Sequence, residues 1–336
     1  MITITEQVNL KDYTTFKINC YASFLAEIDT IEELLEFMDS THSNLPRIVL
    51  GGGSNMLFTK NFNGLLLKLN FKGIDVLSEN ETDVYVRAMA GVKWDDFVSH
   101  CVDNNWCGIE NLIEIPGNVG SCPIQNIGAY GTEVKDTIYA VEAINIKSKK
   151  PVTFQNEDCK FGYRSSIFKL QEKDKYLITS VIFKLSKIFF PNINYSDIQK
   201  ELADKYDIKI KDVSEAIRGI RLRKLPVPDE LGNAGSFFKN PTISAVEYER
   251  LKNKFAEIPS FKVDADSYKI PAAWLIEQTG WKGYRDGDAG VHQNQPLVLV
   301  NYGKASGLQI KELSEKIKES VFKKFSIQLE TEVNIY

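Results

Sequence analysis

The chain has 336 residues, 43% hydrophobic and 26% charged, with 41 Lys and Arg against 45 Asp and Glu and a formal net charge of −4. Fractions of this kind belong to folded proteins and exclude wholesale disorder, and the length predicts two or three domains. The slight acidic excess argues against a general nucleic-acid-binding protein, because such proteins need surplus cations to neutralise phosphates.

The cysteines and the N-terminus indicate the compartment. The five cysteines are scattered and form no Cys-x-x-Cys pair, which favours a reduced compartment over a disulfide framework or a zinc site; they are Cys20, Cys101, Cys107, Cys122 and Cys159. Residues 1–13 contain Glu6 and Asp12 and lack the apolar segment of a signal peptide. No stretch approaches the ~18 apolar residues that span a bilayer. We therefore expect a cytoplasmic protein without a membrane or nucleic-acid partner.

The predicted elements alternate in the first half of the chain and become mostly helical towards the end. Thr30 and Glu33 form a capping-box pattern that predicts a helix start. Period-two and apolar runs predict strands at 48–50, 65–69, 83–88, 137–146, 176–185 and 328–336. Helical spacing predicts helices at 94–101, 213–222, 245–255, 272–278 and 307–325. Pro226 and Pro228 must end the second of these helices, so a domain boundary near 220–230 is expected.

Two glycine-rich segments are candidates for ligand binding. In 51–55, directly after a predicted strand, the absence of Cβ atoms lets backbone N–H groups approach phosphates. Met56 stands where a Rossmann fingerprint needs glycine, so this segment is either another phosphate cradle or a tight structural turn. The segment 115–131 has four glycines, two prolines and no charge. It predicts backbone wrapped around a large flat ligand such as a dinucleotide, with a plain crossover loop as the alternative.

Three polar features add further candidates. Arg164 follows an aromatic residue and precedes two serines, which suits either a bidentate carboxylate clamp or a surface ion pair. Ser236 lies in the small-residue segment 232–241, but no Gly-x-Ser-x-Gly elbow supports a hydrolase nucleophile. The cationic run 218–224, together with Arg164 and Lys239, is predicted to serve anionic small molecules, the alternative for the run being a solvated helix face. The three histidines are too far apart for a recognisable metal motif or triad, and no metal site is predicted.

Six segments together resemble the UDP-N-acetylenolpyruvoylglucosamine reductase (MurB) family in order and spacing over essentially the whole chain. They are 50–55, 115–131, 161–164, Lys224-Leu225-Pro226, 232–241 and 329–333. The resemblance implies an α+β chain: an FAD-binding fold of the vanillyl-alcohol-oxidase (PCMH) type with an additional α+β substrate-binding domain. Residues 1–72 and 73–222 would form two FAD-binding subdomains, 223–325 the substrate domain, and 326–336 a C-terminal strand with the catalytic glutamate.

The same resemblance implies NADPH-dependent reduction of UDP-N-acetylglucosamine enolpyruvate to UDP-N-acetylmuramate in peptidoglycan synthesis, by a monomer with non-covalent FAD. Hydride would pass from NADPH to flavin N5 and from there to substrate C3, while Ser236 gives a proton to C2. Arg164 would neutralise charge on the substrate carboxylate, and Glu332 would stabilise the enol intermediate. Glu332 is preferred to Glu330 because it directly precedes Val333, as the catalytic glutamate of the family precedes its valine.

Binding residues also follow from the resemblance. FAD contacts would come from Gly51, Gly52, Gly53, Ser54, Asn55, Pro116, Gly117, Gly120, Ser121, Cys122, Gln125, Asn126, Ile127, Gly128 and Arg221. Substrate or NADPH contacts would come from Tyr195, the loop tyrosine of the longer subtype, and from Lys224, Asn240, Lys269 and Gln295. Cys122 stands where relatives commonly carry Ser or Ala, and its size should fit. The alternatives are an FAD-dependent oxidase of the same fold superfamily and a nucleotide-sugar-binding protein without catalysis.

Overall fold

The computed structural model describes residues 2–336 and consists of two compact units. Unit 1 contains residues 2–8, 22–52 and 63–223. Unit 2 contains residues 9–21, 53–62 and 224–336, so it joins the C-terminal third of the chain to two short segments from the first 62 residues. Within the described residues, no helix combines the length and apolar character that crossing a membrane requires.

The helices and strands of residues 2–336 are numbered in chain order. The helices are α1 Ile31–Asp39, α2 Trp94–Asp103, α3 Ser196–Glu201, α4 Ile210–Lys224, α5 Ala245–Lys254, α6 Ala272–Gln278 and α7 Gly307–Phe325. The strands are β1 Thr3–Asn9, β2 Tyr21–Ile28, β3 Arg47–Leu50, β4 Met56–Leu57, β5 Phe62–Leu69, β6 Ile74–Glu79, β7 Asp83–Met89, β8 Gly128–Ala129, β9 Thr132–Glu133, β10 Ile138–Asn145, β11 Pro151–Gln155, β12 Tyr176–Ser186, β13 Gly232–Ser236, β14 Thr242–Ser244, β15 Phe261–Lys262, β16 Ser267–Lys269, β17 Arg285–Asp286, β18 Ala289–Val291, β19 Val298–Asn301 and β20 Asn334–Ile335.

Unit 1 is built on two sheets. The first has the order β1-β2-β5-β3, with β3 parallel to β5, and the second has the antiparallel order β11-β10-β12-β7-β6. Central strand β12 is buried over almost its whole length because α2 and α4 contribute apolar side chains to the same core. The rings of Phe97 and Phe183 lie 4.6 Å apart within it. This core carries the second glycine-rich segment, residues 115–131.

Unit 2 contains the four-stranded sheet β13-β19-β18-β17 and the three-stranded sheet β14-β16-β15, with α7 as its longest helix. The apolar stripe predicted for α7 is confirmed, since Ile310, Leu313, Ile317, Val321 and Phe325 are all buried. Ser306 caps this helix by accepting a hydrogen bond from the Gln309 amide. The helix thereby supports β18 and β19, and β19 pairs with the strand that ends at Ser236.

The C-terminal strand predicted over 328–336 is wrong in extent. The structure has only β20, which runs parallel to β4, and an isolated antiparallel bridge between Thr331 and Phe238. The segment changes its partner from residues 237–239 to residues 56–57, so no continuous ladder forms. Glu332 lies between the two pairings and not in a regular strand.

Candidate active site

The first glycine-rich segment begins where β3 ends at Leu50, as predicted. A Cβ placed on Gly52 would lie 2.8 Å from the Cα of Gly117, and one on Gly51 would lie 3.5 Å from the Cβ of Ser121. The two predicted binding segments of unit 1 therefore meet at Gly52 and Gly117, and Gly52 is required for this close approach of the two backbones. Both segments are largely half-exposed and present uncharged backbone groups.

The remainder of the first segment belongs to unit 2. Gly53 has a φ of +63°, and a Cβ there would collide with the carbonyl oxygen of Tyr13 at 2.0 Å. The side-chain amide of Asn55 donates to the backbone oxygen of Glu332 at 3.3 Å. The structure therefore brings Asn55 together with the predicted catalytic glutamate.

Residues 115–131, which we call the flavin loop, contain a short turn and a buried cysteine. Ser121 Oγ donates to the carbonyl oxygen of Asn118 at 2.7 Å and closes the turn that includes Gly120. Cys122 is fully buried, and burial raises the pKa of its thiol well above the ordinary value. This thiol stays protonated and packs as a small apolar group.

The end of the flavin loop is fixed by two polar side chains. Asn126 is fully buried, and its amide nitrogen donates to Gly162 O at 3.0 Å while its Oδ1 accepts from the Lys135 amide at 3.0 Å. Arg164 donates through Nη2 to Gly128 O at 2.8 Å. The predicted catalytic arginine therefore lies directly on the predicted flavin-binding residues.

The start of the flavin loop is held by Glu114, which the sequence reading missed. Glu114 has a φ of +60°, a left-handed conformation that an ordinary side chain rarely adopts. Its amide donates to Asp95 Oδ1 at 2.7 Å, and Arg221 donates to its carbonyl oxygen through Nε at 3.2 Å and Nη2 at 3.1 Å. Arg218 pairs with the carboxylates of Glu114 and Asp95. The strained turn is therefore held by contacts to the amide, the carbonyl oxygen and the side chain of Glu114.

These contacts change the interpretation of the cationic run. Arg218 is paired as described, Arg223 pairs with Glu201, and Lys239 pairs with Glu330. For these three side chains, ion pairing is the arrangement that the structure shows. Burial lowers the pKa of Arg221, but an arginine remains charged at neutral pH.

Tyr195 lies on the loop that precedes α3. Its ring meets the ring of Tyr130 at a centroid distance of 5.7 Å and an angle of 76°, which is an edge-to-face contact. Tyr130 is part of the flavin loop, so the structure places this predicted substrate residue beside a predicted cofactor segment. The Tyr195 side chain is 39% exposed, which leaves one side of it open to a ligand.

Ser236 ends β13 and pairs with Val298 of β19. The next two residues, Phe237 and Phe238, are fully buried and anchor the segment. The Glu332 amide donates to the Phe237 carbonyl oxygen at 2.8 Å. The two predicted catalytic residues of unit 2 therefore lie on neighbouring, hydrogen-bonded segments.

The other predicted substrate residues belong to the segment 224–336 of unit 2. Lys224 is the last residue of α4. Asn240 Oδ1 accepts from the Ala272 amide at 2.9 Å, and Lys269 pairs with Thr242 at the neighbouring strand end. Gln295 lies in the turn before β19, and its amide donates to His292 Nδ1 at 3.2 Å.

Comparison with known proteins gives consistent matches. Residues 226–336 match the model of the UDP-N-acetylenolpyruvoylglucosamine reductase C-terminal domain, and residues 22–149 match that of an FAD binding domain. The chain is 48% identical over 336 residues to the UDP-N-acetylenolpyruvoylglucosamine reductase of Flavobacterium johnsoniae, covering 99% of each. It is 42% identical over 329 residues to that of Bacteroides fragilis, covering 98% of this chain and 99% of the relative.

The fold also matches a solved structure, the UDP-N-acetylenolpyruvylglucosamine reductase (MurB) of Thermus caldophilus, with a TM-score of 0.71, 24% identity and 100% coverage of both chains. The predicted fold is confirmed: an FAD-binding fold of the vanillyl-alcohol-oxidase type with an additional α+β domain. The matched region 22–149 includes Gly51, Gly52 and the flavin loop. Their glycine-rich, uncharged and largely half-exposed backbone suits the diphosphate and ring system of FAD, so the residues present fit the cofactor.

Proposed function

Because the chain belongs to the UDP-N-acetylenolpyruvoylglucosamine reductase family and is a flavin-dependent oxidoreductase of cell wall synthesis, we propose that it reduces UDP-N-acetylglucosamine enolpyruvate to UDP-N-acetylmuramate with NADPH as electron donor. The observation that carries this proposal is the full-length similarity to reductases of this name. The placement of Ser236 and Glu332 on bonded segments supports it.

FAD held there would supply the redox chemistry, the transfer of hydride from NADPH to C3 of the substrate double bond. We propose that the glycine segment 51–55, the flavin loop and Arg221 hold it without a covalent link. Arg221 has two of its donors on Glu114 O and is therefore oriented by the same turn that starts the flavin loop.

Ser236 is the proposed proton donor to C2. A serine hydroxyl is a very weak acid, so this step needs a strongly basic carbon and a close, oriented hydroxyl. The backbone supports such orientation, because Gly235 has a φ of +66° and its amide donates to Asn233 Oδ1 at 2.9 Å. Together with the buried Phe237, this bond fixes the backbone on either side of Ser236, the last residue of β13.

Arg164 and Glu332 are the proposed electrostatic residues. The permanently charged guanidinium of Arg164 would stabilise charge that grows on the substrate carboxylate, and one such donor is worth roughly 3–4 kcal/mol of barrier. Glu332 is half-buried beside Phe237, whereas the Glu330 side chain is 72% exposed and pairs with Lys239. This difference supports Glu332 as the residue that stabilises the enol intermediate.

Tyr195, Lys224, Asn240, Lys269 and Gln295 are the proposed contacts to substrate and NADPH. Both ligands carry a pyrophosphate, so one set of residues can serve each in turn, which gives ping-pong turnover. Since Asn240 uses its Oδ1 to bind the Ala272 amide, its side-chain nitrogen is the group that faces a ligand acceptor in this proposal.

A monomer in the reducing cytoplasm, with the subdomain boundaries predicted above, completes the proposal. All five cysteines are buried and free. Burial raises the pKa of Cys20 to about 11 and of Cys107 and Cys159 to about 12, so these thiols remain protonated. Unpaired protonated thiols support a reducing compartment.

The test is NADPH oxidation by purified, flavin-loaded protein. We expect oxidation to depend on UDP-N-acetylglucosamine enolpyruvate and denaturation to release free FAD. A rate of NADPH oxidation that is the same with and without the enolpyruvate would reject the proposed reaction. Flavin that stays on the denatured chain, with oxygen as the acceptor, would support the oxidase alternative.

A further inference from the structure

Asn111 joins two loops of unit 1. It is 1% exposed and lies in a short turn at 110–112. Its side-chain nitrogen donates to Tyr130 O at 3.1 Å and to Asn192 O at 2.9 Å. The first carbonyl belongs to the flavin loop, and the second belongs to the loop 187–195 that carries Tyr195.

Asn192 makes a second set of bonds across the same seam. Its side-chain nitrogen donates to Gly131 O at 3.3 Å and to Thr132 Oγ1 at 3.3 Å. We call Asn111 and Asn192 the asparagine clasp. Four hydrogen bonds from two amide groups therefore tie the Tyr195 loop to the end of the flavin loop.

The clasp determines where Tyr195 can lie. On one side, the Tyr195 carbonyl oxygen accepts from the amides of Ile198 and Gln199 and begins α3, which is anchored by the fully buried Ile198. On the other side, Asn192 holds the loop three residues earlier in the chain. The Tyr195 ring is thereby kept against Tyr130.

Core packing alone does not account for an asparagine at position 111. Its Oδ1 is buried and makes no hydrogen bond to any residue of 2–336, and burying an unpaired acceptor destabilises a fold. What the asparagine supplies is a pair of N–H donors aimed at two carbonyls on different loops.

We propose that Asn111 is a positioning residue that fixes Tyr195 for the UDP-linked substrate and so sets the affinity for it. The inference rests on the proposed function, in which Tyr195 contacts that substrate. Asn111 itself touches neither substrate nor cofactor, and it acts through the position of the loop.

The test is Asn111→Asp, which keeps the size of the side chain and replaces the two donors by a carboxylate that repels both carbonyls. We expect KM for UDP-N-acetylglucosamine enolpyruvate to rise by about tenfold or more, with FAD content unchanged. Asn192→Ala, at a half-buried position, should move KM in the same direction and serves if the first variant does not fold. The control is Asn156→Asp at a half-buried position, because Asn156 also donates to two carbonyls, those of Lys135 and Ile138, away from the Tyr195 loop.

A double-mutant cycle separates positioning from a general structural effect. In a Tyr195→Ala background, Asn111→Asp should add no further rise in KM, because its effect passes through Tyr195. An unchanged KM in both clasp variants, additive effects in the cycle, or an equal rise in Asn156→Asp would overturn the inference. Wild-type protein that does not turn over the enolpyruvate would instead reject the proposed function and this inference with it.

Discussion

The flavin loop of unit 1 and the segments around Ser236 in unit 2 are both held by backbone hydrogen bonds, and arginine side chains add to these bonds around the flavin loop. Arg164 donates to the carbonyl oxygen of Gly128 in the loop, and Arg221 donates to that of Glu114, the residue directly before the loop. Ser236 and Glu332 are held by backbone bonds between neighbouring segments, with the amide side chains of Asn233 and Asn55 bonded to the backbone beside them.

The difference determines what a substitution reports. Loss of the Arg164 or Arg221 donor releases a carbonyl that stays buried or half-buried, so the backbone of the loop should move there. Around Ser236 the backbone bonds do not depend on which side chain is present. Substitutions there should therefore report on chemistry alone, while substitutions around the flavin loop should report on binding.

The largest expected effect comes from Ser236→Ala. We expect flavin re-oxidation by the enolpyruvate to slow by about 10³-fold, within the range of general acid catalysis, because the proton donor is lost. FAD affinity and flavin reduction by NADPH should stay near wild type, since the backbone bonds of β13 remain. Rapid-mixing absorbance of the two half-reactions measures this. Equal losses of rate in the two half-reactions would show that the backbone around Ser236 had moved, and would contradict the difference between the two regions.

Arg221→Met should give the next largest effect. The variant removes both donors from Glu114 O, so we expect FAD affinity to fall by about 10- to 100-fold, as for the loss of one or two hydrogen bonds to a charged group. FAD titration by fluorescence measures it. The control is Arg223→Met on the same helix, since Arg223 is 59% exposed and pairs only with Glu201 among the contacts identified. Unchanged affinity in Arg221→Met, or equal losses in both, would contradict the account.

His292 gives a smaller effect and tests a further side chain that is bonded to the backbone in unit 2. Its Nδ1 accepts from the Gln295 amide, and burial lowers its pKa. Below its ordinary pKa of ~6.5 the unfolded chain binds a proton that the folded chain resists, so stability falls as pH falls. The slope for this one group is at most about 1.4 kcal/mol per pH unit. Denaturant unfolding between pH 8 and 5 should show a flatter dependence in His292→Asn; identical curves would exclude the effect.

The sequence predicted six of the seven helices that the described residues form, because the signals for a helix are local. The bounds of α6 and α7 match the prediction, and α7 carries its capping residues and apolar stripe in its own sequence. The prediction of a C-terminal strand over 328–336 was wrong in extent because these residues divide their pairing between two distant segments. Alternation of apolar and polar residues alone does not reveal such a division.

The glycine-rich segments were also found, since glycine and proline leave a clear pattern. Glu114, Asp95 and Asn111 were missed for a physical reason. An acidic or amide residue beside a turn resembles a solvated surface residue until its partners are known. For Glu114 these partners are Arg218 and Arg221, about a hundred positions later in the chain, and their helical spacing was the one signal available.

The central claim, that electrons pass from NADPH through bound FAD to the enolpyruvate, is tested most directly by a single turnover without oxygen. NADPH should bleach the flavin absorption bands, and subsequent UDP-N-acetylglucosamine enolpyruvate should restore them with formation of one UDP-N-acetylmuramate per flavin. Bands that return only when oxygen is admitted would contradict the claim.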